Sequence, residues 1–199
     1  MKIAEIFDSI QGEGLWMGRP VTFIRAAGCS LRCDFCDSKV TWAEGKVDMS
    51  IDDICKQVHY THVIITGGEP TEQEHELRKL IDCLQKTNHV VGLESNGTYE
   101  HYTSLYCNHV VVSPKPKAMY CVFPSGVDEL KYVVTEEFNP SVAIPESVRA
   151  KFAGRIWLQP CDYGEASKNH EMYAKAMAIA MSDERLRCGI QLHKIYGVQ

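Results

Sequence analysis

The chain has 199 residues, of which 45% are hydrophobic and 24% charged, and this balance predicts a single globular domain over residues 1–199. Its formal net charge of −5 excludes a general affinity for nucleic acid or for anionic membranes. No apolar run reaches the roughly 18 residues of a membrane-spanning helix, and acids stand at Glu5 and Asp8, where a signal peptide would be apolar. We therefore expect a cytosolic protein without direct nucleic-acid or membrane partners.

Short β-branched segments alternate with longer amphipathic segments, which is the pattern of repeated β-α units around a largely parallel sheet. Strands are predicted at residues 2–7, 21–26, 62–66, 90–94, 109–113, 129–135, 155–159 and 187–192. Helices are predicted over residues 50–59, 71–86, 145–152 and 166–181. These units are too few to close an eight-stranded barrel, so the fold is either an open partial barrel or a doubly wound sheet. Both bind ligands at the carboxyl ends of their strands.

Two of the predicted helices begin with capping patterns, because Ser50 and Thr71 each stand three residues before a carboxylate. In the second helix, an apolar stripe at helical spacing is expected to face the core, and it comprises Leu77, Leu80, Ile81 and Leu84. The segment 114–126, with three prolines, predicts an irregular loop that is long enough to cover a site.

Three of the nine cysteines, Cys29, Cys33 and Cys36, fall within eight residues, directly after the predicted strand 21–26. Six other cysteines stand singly and are interpreted as structural, and the odd total disfavours a disulfide framework. The C-x3-C-x2-C spacing favours an iron-sulfur cluster in which one iron is left for a ligand other than protein. A structural zinc completed by a histidine such as His193, and three unrelated cysteines, are the alternatives.

This cysteine triplet, with Phe35 before its third member and Gly67-Gly68-Glu69-Pro70 one β-α unit later, resembles the radical S-adenosylmethionine (SAM) superfamily. The resemblance implies an incomplete, open (β/α)6-type partial TIM barrel of class α/β, with the cluster loop at the carboxyl ends of its strands. It also implies a [4Fe-4S] cluster on the three cysteines. The free iron would be chelated by the amino and carboxylate groups of SAM, whose one-electron cleavage gives a 5′-deoxyadenosyl radical.

The resemblance further assigns cofactor contacts to residues near the cluster and at the ends of the later strands. Gly67, Gly68 and Glu69 would contact the methionine amino group, and Phe35 and Asp37 flank the third cluster cysteine. The remaining implied contacts are Glu94 and Asn96 near the ribose or methionine, Ser113 and Lys115 near the ribose and carboxylate, and Gln159 on the adenine side.

A narrower resemblance rests on the segments IFDSIQGEG at 6–14, FIRAAGC at 23–29, CDS at 36–38, ITGGEP at 65–70, SNGT at 95–98 and QLHK at 191–194. Together these segments resemble the 7-carboxy-7-deazaguanine synthase family of carbon–nitrogen lyases. The resemblance implies ring contraction of 6-carboxy-5,6,7,8-tetrahydropterin to 7-carboxy-7-deazaguanine with loss of ammonia, in queuosine and 7-deazapurine biosynthesis. It also implies regeneration of SAM, a requirement for Mg²⁺, a reductase or flavodoxin-type electron donor and a homodimer.

The same family resemblance assigns pterin-binding residues and one magnesium ligand. Ser38 is the implied hydroxyl ligand of Mg²⁺. The implied substrate contacts are Ile10, Gln11, Gly12, Glu13, Arg25, Thr66, His193 and Gln199. No conventional acid or base is implied, although His193 is a candidate proton shuttle when ammonia leaves.

Two other functions compete with this interpretation. One is a glycyl-radical enzyme activase, a small radical SAM protein that acts on a partner protein. The Gln11–Gly14 loop and Arg25 disfavour an activase, because a small-molecule pocket needs such edge-reading groups and a docking surface does not. The other is a non-catalytic metal-binding module in which the triplet and His193 hold zinc.

Overall fold

The computed structural model describes residues 1–42, 47–115 and 125–199, and in these ranges the backbone forms one mixed sheet. Its order is β3-β1-β2-β4-β5-β6-β7-β8-β9. The strands are β1 (Lys2–Ile10), β2 (Pro20–Ala26), β3 (Val47–Asp48), β4 (His62–Gly67), β5 (Val90–Ser95), β6 (His109–Val112), β7 (Glu129–Val134), β8 (Arg155–Pro160) and β9 (Leu186–Cys188). β1 pairs antiparallel with β2 and β3, and each neighbouring pair from β2 to β9 is parallel. The two outermost strands, β3 and β9, do not pair with each other, so the expected open partial barrel is confirmed.

The predicted helices are present, but two are shorter than expected and additional short ones occur. The α-helices are α1 (Ile51–Cys55), α2 (Glu74–Lys86), α3 (Pro140–Ala143), α4 (Glu146–Lys151), α5 (Ala166–Ser182) and α6 (Leu192–Tyr196). Short 3-10 helices occupy Gly14–Trp16, Lys39–Trp42, Pro70–Gln73 and Tyr102–Leu105. The predicted strand 187–192 is wrong in its second half, where α6 begins. Of the predicted loop 114–126, residues 116–124 lie outside the described residues.

The two predicted caps have different outcomes. Ser50 caps α1 as expected, because its hydroxyl oxygen accepts the Asp53 backbone N–H at 3.2 Å. The predicted Thr71 capping box is wrong. The carboxylate of Glu69 caps the turn Pro70–Gln73 and accepts both the N–H and the hydroxyl of Thr71, so α2 begins only at Glu74.

Helices α1, α2 and α5 cover the outer face of the sheet. The predicted stripe of α2, Leu77, Leu80, Ile81 and Leu84, is at most 2% exposed and belongs to the main core. Burying each of these side chains stabilises the fold by roughly 1.5–3 kcal/mol, so the stripe alone fixes α2 against the sheet. No helix within the described ranges is long and apolar enough to cross a membrane.

A polar and aromatic layer fills the lower interior of the barrel. The turn Gly14–Trp16 inserts there, and the indole of Trp16 stacks on the ring of His109 at 5.0 Å between centroids. A Cβ at Gly92 would lie 2.9 Å from the Trp16 ring, so a larger residue would displace the indole. Glu129 accepts the Leu15 backbone N–H on both of its carboxylate oxygens at 3.1 Å. The turn is therefore anchored inside the barrel.

Residues 189–199, called here the closing segment, cross the open side of the barrel. The Leu192 N–H donates to the Gly12 carbonyl at 2.9 Å, beyond the end of β1. The Ser9 hydroxyl donates to the Gln199 carbonyl at 2.5 Å. The closing segment thereby links the β9 end of the sheet to β1, and it forms one wall of the interior.

Candidate active site

One cavity of about 440 Å³ opens at the carboxyl ends of the parallel strands. Among the residues predicted for a site, Gly12 and Glu69 do not line it. The predicted residues that do are Ile10, Gln11, Glu13, Arg25, Cys29, Cys33, Phe35, Cys36, Asp37, Ser38, Thr66, Gly67, Gly68, Glu94, Asn96, Ser113, Lys115, Gln159, His193 and Gln199. The chain therefore brings together at one site segments that are far apart in sequence.

The cluster loop follows β2 and presents its three thiols, all half-buried, to this cavity. The Cys36 N–H donates to the Cys33 carbonyl at 3.1 Å, and the Asn96 amide donates to Sγ of Cys29 at 3.8 Å. Burial raises the pKa of the Cys29 thiol. No three Cys, His, Asp or Glu side chains of the described residues converge closely enough for a single metal ion. Three thiols on one open cavity do suit a polynuclear cluster, because its ligands bind separate irons.

Gly67, the last residue of β4, and Gly68, which follows it, pack the strand end against the cluster loop. Gly67 has a φ of +121°, and a Cβ at Gly68 would collide with the carbonyl oxygen of Gly28. The Gly68 N–H donates to the Ala26 carbonyl at 2.9 Å, and the Glu69 N–H donates to the Gly28 carbonyl at 2.8 Å. This close approach fixes the position at which the chain leaves β2 and enters the cluster loop.

Glu69, predicted to contact the methionine amino group, lies behind the residues that line the cavity. The side chain is fully buried and accepts four hydrogen bonds. The donors are the Thr71 N–H and hydroxyl, the Ser95 hydroxyl at 2.9 Å and the Asn96 N–H at 2.6 Å. Glu69 therefore joins the ends of β4 and β5.

The far wall of the cavity contains buried groups that suit a nucleoside. Gln159 is 4% exposed, and its Nε2 makes no hydrogen bond within the described parts of the chain. Lys115 donates to the Ser113 hydroxyl at 2.6 Å and lies 5.9 Å from the centroid of the Phe35 ring. Burial lowers the pKa of Lys115. A buried amide donor with no partner is the feature expected where a heteroaromatic base is read.

The floor of the cavity is a charged network. Nζ of Lys131 lies 2.5 Å from Oε2 of Glu13 and 3.7 Å from Oε2 of Glu94. Glu94 also accepts from the Gln11 amide at 2.9 Å and from the Thr66 hydroxyl at 3.2 Å. Burial opposes ionisation of Glu94, but Lys131 and these two donors hold its pKa below the ordinary value. Gln11 and Thr66, predicted as substrate contacts, are thus bonded to this carboxylate.

Several residues that line the cavity were not predicted from the sequence, and Lys131, Gln191 and Cys161 are among them. Cys161 was interpreted as structural, and it is indeed buried, but it faces this cavity. For Lys131 a signal existed, because a lysine in a central strand of a parallel sheet is unusual where both faces are normally covered by apolar groups. The alternation of Glu129 and Lys131 within β7 therefore marks the interior of the barrel as polar.

Arg25, Asp37 and Ser38 meet at the side of the cavity. The Arg25 guanidinium donates to the Ser38 hydroxyl at 3.0 Å, and its Nε lies 2.9 Å from Oε1 of Glu5. The Ser38 hydroxyl donates to Asp37 Oδ1 at 3.0 Å. Burial opposes ionisation of Asp37, but the positive charge of Lys131 and the Ser38 hydrogen bond lower its pKa. The site offers hard oxygen donors beside a guanidinium.

His193 and Gln199 bring the closing segment to the cavity. His193 packs directly on Gly12, where a Cβ would collide with the imidazole, so Gly12 acts by leaving room for this ring. Burial lowers the pKa of His193. The Gln199 amide donates to Glu5 Oε2 at 2.8 Å, next to the Arg25 ion pair.

Comparisons with known proteins agree with this architecture. Residues 23–115 match the family model of the radical SAM superfamily, and the three cysteines lie within that match. The crystal structure of Streptococcus suis SuiB bound to S-adenosylmethionine, at 11% identity, covers 80% of this chain and 44% of that chain with a TM-score of 0.50, which shows a shared fold. The fold and the thiol-lined cavity therefore define a radical SAM enzyme, with a [4Fe-4S] cluster and SAM as its cofactors.

More similar relatives define the family. A 7-carboxy-7-deazaguanine synthase of Aquifex aeolicus is 37% identical over 186 residues, which are 88% of this chain and 82% of the relative. One of Bacteroides thetaiotaomicron is 33% identical over 201 residues, covering 100% of this chain and 98% of the relative. The crystal structure of QueE from Escherichia coli, at 27% identity, covers 96% of this chain and 94% of that chain with a TM-score of 0.73. The chain belongs to the 7-carboxy-7-deazaguanine synthase family.

Proposed function

We propose that the protein converts 6-carboxy-5,6,7,8-tetrahydropterin to 7-carboxy-7-deazaguanine, with loss of ammonia and regeneration of SAM. The observation that carries this proposal is the composition of the cavity at the carboxyl ends of the strands. Its cluster loop presents three thiols, its floor holds the carboxylates of Glu13 and Glu94, and its side holds Arg25. A flat pterin has N–H groups on one edge and a carboxylate on its other ring, which are the complements of these groups.

The proposed orientation follows from the charges. Ionised carboxylates accept the amino and ring N–H groups, so the aminopyrimidinone edge points to Glu13 and Glu94. The Arg25 guanidinium pairs with the substrate carboxylate, since its planar fork matches that group. The floor repels the substrate carboxylate, because its two carboxylates outnumber the one ammonium of Lys131. This arrangement would hold the carbon that bears the carboxylate on the Arg25 side of the cavity.

Cys29, Cys33 and Cys36 would hold the cluster, and the buried Gln159 amide and the Ser113–Lys115 pair suit SAM. When bound, the cluster and SAM supply one-electron chemistry that abstracts a hydrogen atom from the substrate. The chain's own contribution is to orient both molecules and to exclude water, and the closing segment covers the open side of the barrel for this purpose. Burial keeps His193 neutral near pH 7, so its imidazole is available to accept a proton as ammonia leaves.

Magnesium, an electron donor and a homodimer are part of the proposal. The Ser38 hydroxyl and the Asp37 carboxylate are the hard donors that Mg²⁺ prefers, but the adjacent Arg25 opposes a cation. Mg²⁺ should therefore bind mainly together with substrate, whose carboxylate offsets that charge. A flavodoxin-type reductase would supply the electron. An exposed apolar stripe on α5, formed by Tyr173, Met177 and Met181, supports self-association.

The test is anaerobic turnover of the reconstituted protein with SAM, a reductant, Mg²⁺ and 6-carboxytetrahydropterin, in which the deazapurine is followed by mass. We expect product from the wild type and none from Cys33→Ala, which lacks one cluster ligand. Cys188→Ala is the matched control, because this exposed thiol on β9 does not line the cavity. Cleavage of SAM without any deazapurine would contradict the proposed substrate. It would favour a different radical reaction, and the glycyl-radical enzyme activase would then be the next function to test.

A further inference from the structure

Lys131 is the central cation of the charged floor. It was not among the predicted site residues. It lies in the middle of β7 with its side chain only 12% exposed. Its ammonium contacts Oε2 of Glu13 at 2.5 Å and Oε2 of Glu94 at 3.7 Å. One cation therefore bridges two carboxylates, one from the turn after β1 and one from β5.

Each of these carboxylates has its second oxygen fixed by an amide. The Gln191 amide donates to Oε1 of Glu13 at 2.9 Å, and the Gln11 amide donates to Oε1 of Glu94 at 2.9 Å. Amides fix direction but supply no charge. Two carboxylates buried in one site repel each other, and without a shared cation one of them takes up a proton.

Other charged groups lie around the floor. Arg25 is paired with Glu5, and Glu129, below Lys131 on the same strand, accepts from His109 at 2.5 Å. The remaining neighbours are Asp37 in the cluster loop, Lys115 after β6 and His193 in the closing segment. Lys115 itself donates to Ser113. Lys131 is therefore the cation that contacts both Glu13 and Glu94.

We infer that Lys131 is a positioning residue that keeps Glu13 and Glu94 both ionised and at a fixed separation, so that together they accept the N–H groups of an aminopyrimidinone edge. This inference rests on the proposed function and adds a determinant of specificity to it. With Lys131 in place, the floor selects a ligand edge that offers several N–H donors. Without Lys131, one of the two carboxylates takes up a proton and becomes a hydrogen-bond donor. It then no longer accepts from the N–H groups of the aminopyrimidinone edge.

The test compares Lys131→Met with the wild type in KM, kcat and binding of 6-carboxypterin, a fluorescent oxidised analogue of the proposed substrate. We expect KM and the dissociation constant to rise about 30-fold, and kcat at saturation to change less than about threefold, because positioning acts through substrate binding. Lys175→Met is the matched control. Lys175 lies on α5 and donates to the Thr135 and Glu136 carbonyls directly after β7, but it does not line the cavity.

The dependence on pH distinguishes positioning from general damage to the fold. In Lys131→Met the floor carboxylates lose their cation, so KM should rise further as the pH falls from about 8.5 to 6, whereas the wild type should stay nearly flat. Lys131→Arg, which retains the charge, should recover KM to within about fivefold of the wild type. If Lys131→Met does not fold, Lys131→Gln replaces it in the same assay. Circular dichroism then checks that the variant is folded, and SAM cleavage checks that its cluster site is intact.

Two failures are distinguishable. If the wild type neither binds 6-carboxypterin nor converts 6-carboxytetrahydropterin, the proposed function fails and this inference fails with it. If the wild type is active and Lys131→Met has an unchanged KM with a flat pH profile, only the inference is overturned. A loss of kcat at constant KM would also overturn it, because the residue would then act in the chemical step.

Discussion

At the scale of single residues, Gln159 shows how a binding group is recognised by what it lacks. Its Nε2 is buried and has no hydrogen-bond partner within the described ranges. A buried amide without a partner costs about 1–3 kcal/mol of folding stability. A ligand that accepts the hydrogen bond of the Gln159 amide would offset this cost. The proposed ligand is the adenine of SAM.

Replacing this amide should separate stability from affinity. Gln159→Met keeps an unbranched side chain of similar length, so we expect thermal stability to be unchanged or raised by up to about 1 kcal/mol. SAM affinity should fall about tenfold, which corresponds to about 1.4 kcal/mol. Calorimetry and equilibrium SAM binding to the cluster-loaded protein measure the two effects. Gln57→Met, a substitution on the exposed surface beside α1, is the control, and equal SAM affinity in all three proteins would contradict the assignment.

Individual roles were harder to predict than individual positions. The motifs indicated that Glu69 and Gln11 belong near the site, but both side chains make internal hydrogen bonds that bind the walls of the cavity together. Those bonds depend on Ser95, Asn96 and Glu94, which are remote in sequence. Lys131 was missed for the same reason, since its partners at 13 and 94 become neighbours only when the barrel has formed.

At the scale of elements, Gly67 and Gly68 at the end of β4 determine the path of the cluster loop. In Gly68→Ala the new Cβ would collide with the Gly28 carbonyl. This carbonyl belongs to the backbone, so it cannot relieve the collision by changing rotamer as a side chain could. We expect a cost of about 1–3 kcal/mol from overpacking, with displacement of the loop that carries the thiols.

The expected consequence of Gly68→Ala is a folded protein that loads little cluster, with a loss of most of the absorbance near about 400 nm after reconstitution. Iron content per chain and circular dichroism check the two halves of this expectation. Gly164→Ala is the control, because a Cβ there has open space within 4 Å although its φ is +71°. Full cluster loading in Gly68→Ala would show that the loop tolerates the shift.

Each predicted strand and helix begins within one residue of its observed start, except α2. In β4 and β6 a run of β-branched residues fills the centre of the strand, so a local pattern suffices there. The start of α2 depends instead on Glu69. This carboxylate accepts from Ser95 and Asn96 as well as from Thr71, and these long-range bonds hold the turn Pro70–Gln73 in place of a first helical turn.

At the scale of the whole molecule, the open barrel is closed by residues 189–199 rather than by strand pairing. Lys194 in this segment pairs with Asp162, which also accepts from the Gly164 N–H and the Asn169 amide. The hydrogen bond from Lys194 makes the largest contribution to lowering the pKa of Asp162 from 3.8 to about 2. A depressed carboxyl pKa stabilises the fold above pH 3.8, and that contribution is lost as the pH falls through about 2.

Asp162→Asn should therefore loosen the closing segment without unfolding the protein. Because this pair is mostly exposed, we expect a loss below about 1 kcal/mol at pH 7, which shrinks to nothing by about pH 2. Hydrogen exchange at neutral pH should show faster exchange of the Leu192 and Val198 amides. Asp82→Asn, which breaks the exposed Asp82–Lys86 pair on α2, is the matched control and should leave those amides unchanged.

The charged floor also has a consequence for the order of assembly. Glu13 meets Lys131 across 118 residues and Gln191 across 178, whereas the three cluster cysteines are neighbours in the chain. Contacts between distant segments are slow to form, because a long loop must be closed before any interaction repays its entropy. A chain emerging during synthesis thus has its cysteine triplet long before Gln191 exists. The charged floor is therefore complete only after Gln191 has been added.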